Sequence, residues 1–229
     1  MVGYGLESTH FTMELTYNYG LKSYKHGNEF GGVAIKSKEI ITRVKEIKYP
    51  YEETSEGIMV LAPGGFKFFI INEEAAADED PIKYLIYSVT DLPKSIKYWD
   101  GILNMKKVSG DSKSALLSYN NGGFGILFTK INEPIDRAEA FGRIAFAVPF
   151  ELQPKIDELI KKNDQTILTP LVSLDTPGKA DVRVLILADP DGHEICFVDD
   201  EGFSQLSEFD PESDAALDKY IKKDPFQED

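Results

Sequence analysis

The chain is poor in cysteine, in histidine and in positive charge, and it has no long apolar run. Its only cysteine, Cys196, excludes an intrachain disulfide and fits a reducing compartment. No stretch reaches the roughly 20 apolar residues that a membrane-spanning helix needs. The opening MVGYGLESTHF lacks the basic and hydrophobic regions of a signal peptide. A cytoplasmic protein is the expectation, with a mitochondrial location as the alternative. Lys and Arg number 25 against 39 Asp and Glu, a formal net charge of -14. Phosphate groups would be repelled, so neither nucleic acid nor an anionic membrane is expected as a partner. The three histidines, His10, His26 and His193, show no metal-ligand spacing. His10 shares strand parity with Thr12 and Glu14. His26 lies in a loop and His193 at a strand start, so surface or turn roles are expected.

What is present is enough for a core. The 229 residues are 42% hydrophobic, room for one large domain or two small ones. Helical periodicity is confined to four stretches. SKEIITRVKEI (37–47) puts Ile40, Ile41, Val44 and Ile47 on one face behind a Ser37 cap. DLPKSIKYWDGIL (91–103) does the same with Leu92, Ile96, Trp99 and Leu103 behind Asp91, with proline in the first turn. FELQPKIDELIKK (150–162) and PESDAALDKYIKK (211–223) are the others. Between them lie strand-like runs: FTMELTY, GVAIK, GIMVLA, FKFFII, KYLIYSV, SALLSY, GILFT, RIAFAV, VRVLILA and EICFV. PGG (63–65) and DPDG (189–192) read as hairpin turns. NNGGFG (120–125) also reads as a hairpin connection, and no helix follows it to make a phosphate loop.

These elements repeat. Strand, helix, then three strands runs over about 31–72, again over about 82–130, and again over about 143–198. FGGVAI at Phe30 resembles FGRIAF at Phe141, and APGGFKFFI at Ala62 resembles ADPDGHEICFV at Ala188. The second pair is spaced more widely, which places an insertion in the last unit around 171–183. Within it, DTPGKAD (175–181) is a turn or a loop over a cavity mouth. Before Gly31 the residues read as the end of a further unit, as though the chain began inside one. An exposed sheet edge would follow, and dimerisation or reduced stability with it.

A repeated, paired βαβββ unit resembles the vicinal oxygen chelate superfamily. VGYGLESTHFTMELTYNYG is similar to the glyoxalase I pattern, and VTDLPKSIKYWDGILNMK to a glyoxalase module opening. ILTPLVSLDTPGKADVRVLILADPDGHEICFVDDEGF resembles the glyoxalase domain-containing protein 4 family. The resemblance implies an α+β fold of tandem paired βαβββ modules. It implies a first glyoxalase-like domain in 1–76, a second in 81–200 and a helical tail in 201–229.

In glyoxalase I, each metal site takes a His and a Glu from each of two modules, and a carboxylate moves the proton. Carried over by resemblance, those positions here are Glu14, Gly32, Phe69, Tyr84, Leu127, Arg143 and Cys196. Only Glu14 keeps a family ligand. A divalent ion needs three or four protein donors, so metal-dependent glyoxalase I activity is not expected. The resemblance places Glu14 opposite Arg143 if first and last modules pair, with the guanidinium replacing the metal's charge. Asn18 matches a position that contacts glutathione, and also reads as a turn residue. Cys196 reads as a buried, inert thiol, with nearby Arg143 keeping a reactive thiol open. The pocket candidates are thus Glu14, Asn18, Tyr84, Arg143 and Cys196, with no catalytic residue assigned. The expected role is to bind a small molecule or a protein partner in the sheet cups, as a monomer or homodimer and without a cofactor. The alternative is a lactoylglutathione lyase using glutathione hemithioacetal and a divalent metal.

Overall fold

The computed structural model of the chain describes residues 1–16, 18–120, 123–175, 180–208 and 210–226. Residues 121–122 of NNGGFG, 176–179 of DTPGKAD and 227–229 of the acidic tail lie outside them. The chain opens with a short ladder, β1 (Val2–Gly3) against β2 (Thr12–Met13). Three βαβββ units follow. The first holds β3 (Phe30–Lys36), α1 (Lys38–Glu46), β4 (Glu52–Glu53), β5 (Gly57–Leu61) and β6 (Lys67–Ile71). In the second, β7 (Ile82–Val89) leads into α2 (Leu92–Ile96), which runs on as a π-helix (Lys97–Ile102). Its remaining strands are β8 (Lys106–Gly110), β9 (Ser114–Ser118) and β10 (Gly125–Lys130). The third holds β11 (Arg143–Val148), α3 (Gln153–Lys162), β12 (Thr166–Leu174), β13 (Val182–Ala188) and β14 (Glu194–Asp199). Helices α4 (Asp200–Leu206) and α5 (Ser213–Ile221) come after it.

The caps form as the sequence implies. Ser37 Oγ accepts the Ile40 amide at 3.1 Å, and the Asp91 carboxylate accepts the Lys94 amide at 3.0 Å. Four strands, β1, β4, β8 and β12, were not among the expected runs. β12 contains Pro170, which removes a ladder donor. It is tolerated because β12 is an edge strand whose register shifts between Thr169 and Val172. β8 is fully exposed and lysine-bearing, a polar edge without the apolar alternation of a half-buried strand. Conversely, among the described residues the expected strand FTMELTY pairs only at Thr12–Met13.

The sheets order as β4-β5-β6-β3-β7-β10-β9-β8 and β11-β14-β13-β12. The first and second units are joined by their opening strands, β3 and β7, which run antiparallel. This sheet is continuous across 76–81, so the expected division there does not separate two sheets. The third unit has a sheet of its own, and the β1–β2 ladder pairs with neither.

One apolar cluster nevertheless contains Val33, Ile35 and Leu85 from the larger sheet and Ile144, Leu185 and Phe197 from the smaller. Trp99, fully buried, links them, with its ring 5.4 Å from Phe128 and 6.4 Å from Phe146. Its indole N–H donates to Asp189 Oδ2 at 3.0 Å, and His193 Nδ1 lies 2.8 Å from the same oxygen. Asp189 Oδ1 accepts the amides of Asp191 and His193, each at 2.9 Å. The DPDG turn is thereby clamped onto the second unit. Asp191 Oδ1 accepts from the Thr90 amide and hydroxyl, and Arg137 bridges Glu29 to the Asp191 carbonyl. His193 is therefore a turn residue as expected, but 1% exposed rather than at the surface.

Burial disfavours a charged His193, but Asp189, Glu29 and Asp191 hold its pKa above the ordinary 6.5. Burial likewise opposes an ionised Asp189, yet His193 and Trp99 keep its pKa below 3.8. A raised histidine pKa stabilises the fold most below the unfolded value, and that contribution is lost as pH rises through the folded one. Urea unfolding at a series of pH values should show stability falling as pH climbs above about 6.5. His193→Gln should lose that decline.

Candidate functional site: the open face of the central sheet

Helices α1 and α2 cover one face of the eight-stranded sheet, where Ile41, Val44 and Leu92 join the cluster of Val33, Ile35 and Leu85. Alternation sends the intervening residues to the other face. Cross-strand registers align them into rows. Met59, Phe69, Ala34, Tyr84, Gly125 and Ser118 are successive partners across six strands. Gly32, Ile86, Leu127 and Leu116 form the adjacent row. The four positions Gly32, Phe69, Tyr84 and Leu127 thus share one face.

The floor has a definite shape. Phe69 and Tyr84 flank Ala34, two strand spacings apart, or about 10 Å. Gly125 follows Tyr84 on the far side. Ala34 is fully buried between these two half-buried aromatic residues. On β6 the residue beside Gly32 is Lys67, two before Phe69, so an exposed cation stands at the edge of this face. Burial, then the Glu56 carboxylate, raises the Tyr84 pKa, so its phenol is neutral and can donate a hydrogen bond.

The donor set does not fit a divalent metal. Gly32, Phe69 and Leu127 offer no lone pair, and a neutral phenol is a poor ligand. Gly32 also leaves no space for a restored ligand. Its φ is +134°, and a Cβ there would lie 2.5 Å from the Lys67 carbonyl and 3.1 Å from the Phe69 ring. Among the described residues, no three His, Cys, Asp or Glu side chains group where they could hold a metal ion.

The remaining candidates lie elsewhere. Glu14 and Asn18 are exposed, and the Asn18 carbonyl accepts the Leu21 amide at 3.2 Å in a turn. The segment carrying Glu14 is anchored at the larger sheet. Phe11 stacks on Phe124 at 4.1 Å, and its amide donates to Asp80. Among the described residues, no ion pair joins Glu14 to Arg143. Arg143 instead pairs with its cross-strand neighbour Glu194, Nη2 to Oε2 at 3.0 Å. That partner was missed, although parallel strands at Arg143 and Glu194 would have exposed it. Cys196 is 7% exposed, in a cluster with Val182, Val184 and Val198 to which Phe203 and Leu206 of α4 add. Burial raises its pKa, with Arg143 pulling the other way. The clamp of Trp99, Asp189 and His193 was also missed, and DPDGH was its only visible trace. Of the other histidines, His26 stacks on Phe66 at 4.2 Å and His10 lies 2.9 Å from the Thr9 hydroxyl.

Residues 91–206 match the family profile of the glyoxalase domain-containing protein 4-like C-terminal domain. Glyoxalase domain-containing protein 4 of Mus musculus is 44% identical over 231 residues, covering 100% of this chain and 77% of that protein. Glyoxalase 1 of Caenorhabditis elegans is 40% identical, covering 98% and 78%. Among solved structures, a glyoxalase I variant from Zea mays superposes with a TM-score of 0.74 at 25% identity, covering 91% of this chain and 81% of that one.

Three outcomes test the site. Gly32→His should lower the unfolding free energy by about 2 kcal/mol or more, because the side chain is forced into a left-handed backbone region. Calorimetric titration of that variant with zinc should show no stoichiometric binding. Native Cys196 should alkylate far more slowly than in urea, as followed by mass spectrometry with iodoacetamide.

Proposed function

The chain belongs to the glyoxalase domain-containing protein 4 family, and we propose that it is a divergent glyoxalase-like protein that holds a small uncharged molecule in the open cup of its central sheet. The observation that carries this reading is the shared face of Gly32, Phe69, Tyr84 and Leu127. Two of the positions where the family places metal donors bear an aromatic ring, one an aliphatic side chain and one no side chain at all. A flat apolar ligand on this face would lie against the half-buried rings of Phe69 and Tyr84. Burial of its surface would supply about 25 cal/mol per Å², and the Tyr84 hydroxyl would orient one polar atom. The reading needs neither a metal nor glutathione.

A second reading is favoured by one finding, the name Glyoxalase 1 of the C. elegans relative. It is a metal-dependent lactoylglutathione lyase acting on the methylglyoxal–glutathione hemithioacetal. Metal analysis of the purified protein with a methylglyoxal and glutathione assay separates the two. Stoichiometric metal with robust turnover would establish the second reading.

The first reading has its own check. Nile red, a neutral dye that brightens in apolar surroundings, should bind the protein. Leu127→Lys should weaken that binding by about tenfold or more, since a charge on the floor must be desolvated, with the melting temperature little changed. Equal dye binding by the two proteins would count against the cup.

A further inference from the structure

We propose that α4 is a hinged cover over a second apolar site, on the face of the third unit's sheet that carries Cys196. In the open state a small uncharged molecule would take the place of Phe203 and Leu206. Alternation gives this sheet two faces. Leu185, Leu187, Ile195 and Phe197 turn to the main core. Val182, Val184, Cys196 and Val198 turn the other way, and with Ile186 they form an apolar floor. Phe203 and Leu206, three residues apart and so on one side of α4, pack against that floor. The chain thereby shows what the floor accepts: an aromatic ring and a branched aliphatic group.

The two helices on this sheet are held differently. α3, on the core face, buries Gln153 and Ile160 completely. Gln153 Nε2 donates to the Arg183 carbonyl at 2.7 Å and to the Phe197 carbonyl at 2.9 Å, so one side chain pins α3 to two strands. Among the described residues, α4 is tied by hydrogen bonds at its first turn alone. Asp199 caps it, with Oδ1 accepting the Gly202 amide at 2.6 Å and Oδ2 accepting the Arg183 amide. Gly202 is buried against the Asp181 carbonyl, with which a Cβ would collide. Past that turn, the side chains of Ser204, Gln205 and Ser207 donate to carbonyls of α4 itself. Phe203 and Leu206 are only half-buried. Seven residues make two turns, too few to persist as an isolated helix. Helix α5, which follows, buries no residue. The turn from Asp199 to Gly202 is thus the hinge, and opening it requires two partly buried side chains to leave the floor.

Cys196, the only thiol of the chain, reports on the floor. In hydrogen exchange followed by mass spectrometry, the α4 amides should exchange far faster than those of β14, because α4 opens while the sheet stays folded. Phe203→Ala with Leu206→Ala should speed Cys196 alkylation by iodoacetamide about tenfold or more, with exchange in β13 and β14 unchanged. n-Butylbenzene, a neutral ring with an aliphatic arm, should then slow that alkylation again. It should do so equally in a Leu127→Lys background, which separates this site from the central cup. Helix α4 exchanging no faster than β14 would overturn the proposal, as would butylbenzene leaving alkylation of the double variant unchanged.

Discussion

The antiparallel pairing of Phe30–Lys36 with Ile82–Val89 is the constraint on which the site depends. It joins two four-stranded units edge to edge. Strand alternation then sorts every residue of those strands to a helix-covered face or an open one. Val33 and Leu85 go into the core, and Ala34 and Tyr84 go to the cup. The pairing is not regular: Phe30 and Gly32 are successive partners of Tyr87 and Ile86, with Gly31 left over as a bulge. A positive φ at Gly32 and its close approach to Lys67 go with that irregularity. The same local geometry that completes the sheet therefore removes the space in which a metal-binding side chain would stand.

The chemistry of the two open faces follows from this. On the central sheet, Phe69, Tyr84 and Leu127 share one face with Gly32, and Lys67 stands at its edge. On the third unit's sheet, Arg143 and Glu194 neutralise one another across neighbouring strands, and α4 lies against the valines beside Cys196. An ion pair that is partly exposed contributes little to stability. Its effect here is to occupy both groups, so neither is free to act on a ligand. The central cup is left as the face where an apolar molecule could be sheltered from water.

Much of this architecture was legible in the sequence. The three βαβββ units, both capped helices and the PGG and DPDG hairpins were readable because local rules govern them: periodicity, capping and turn chemistry. The family resemblance singled out Gly32, Phe69, Tyr84 and Leu127, and the strand registers place them on one face. What escaped was non-local or locally contradictory. Pro170 hid β12, and the polar run at Lys106 hid β8. The choice of which units pair is a tertiary matter, so the boundary placed between 76 and 81 cut through a sheet. Trp99 and Asp189 are far apart in the chain, and no local pattern links an indole in a helix to a carboxylate in a turn. Arg143 was expected to seek Glu14. It found Glu194 because a register partner on the neighbouring strand costs less order than a carboxylate on a separate segment.

Methyl resonances offer the most direct measurement of the central claim. The chain has four methionines; Met59 sits on the rim of the cup and Met105 is fully buried in the core. With carbon-13-labelled methionine methyls, a neutral naphthalene probe should shift the Met59 signal and leave Met105 in place, and added zinc should move neither. A Met59 signal that ignores the probe but responds to stoichiometric zinc would contradict the account of an apolar, metal-free cup.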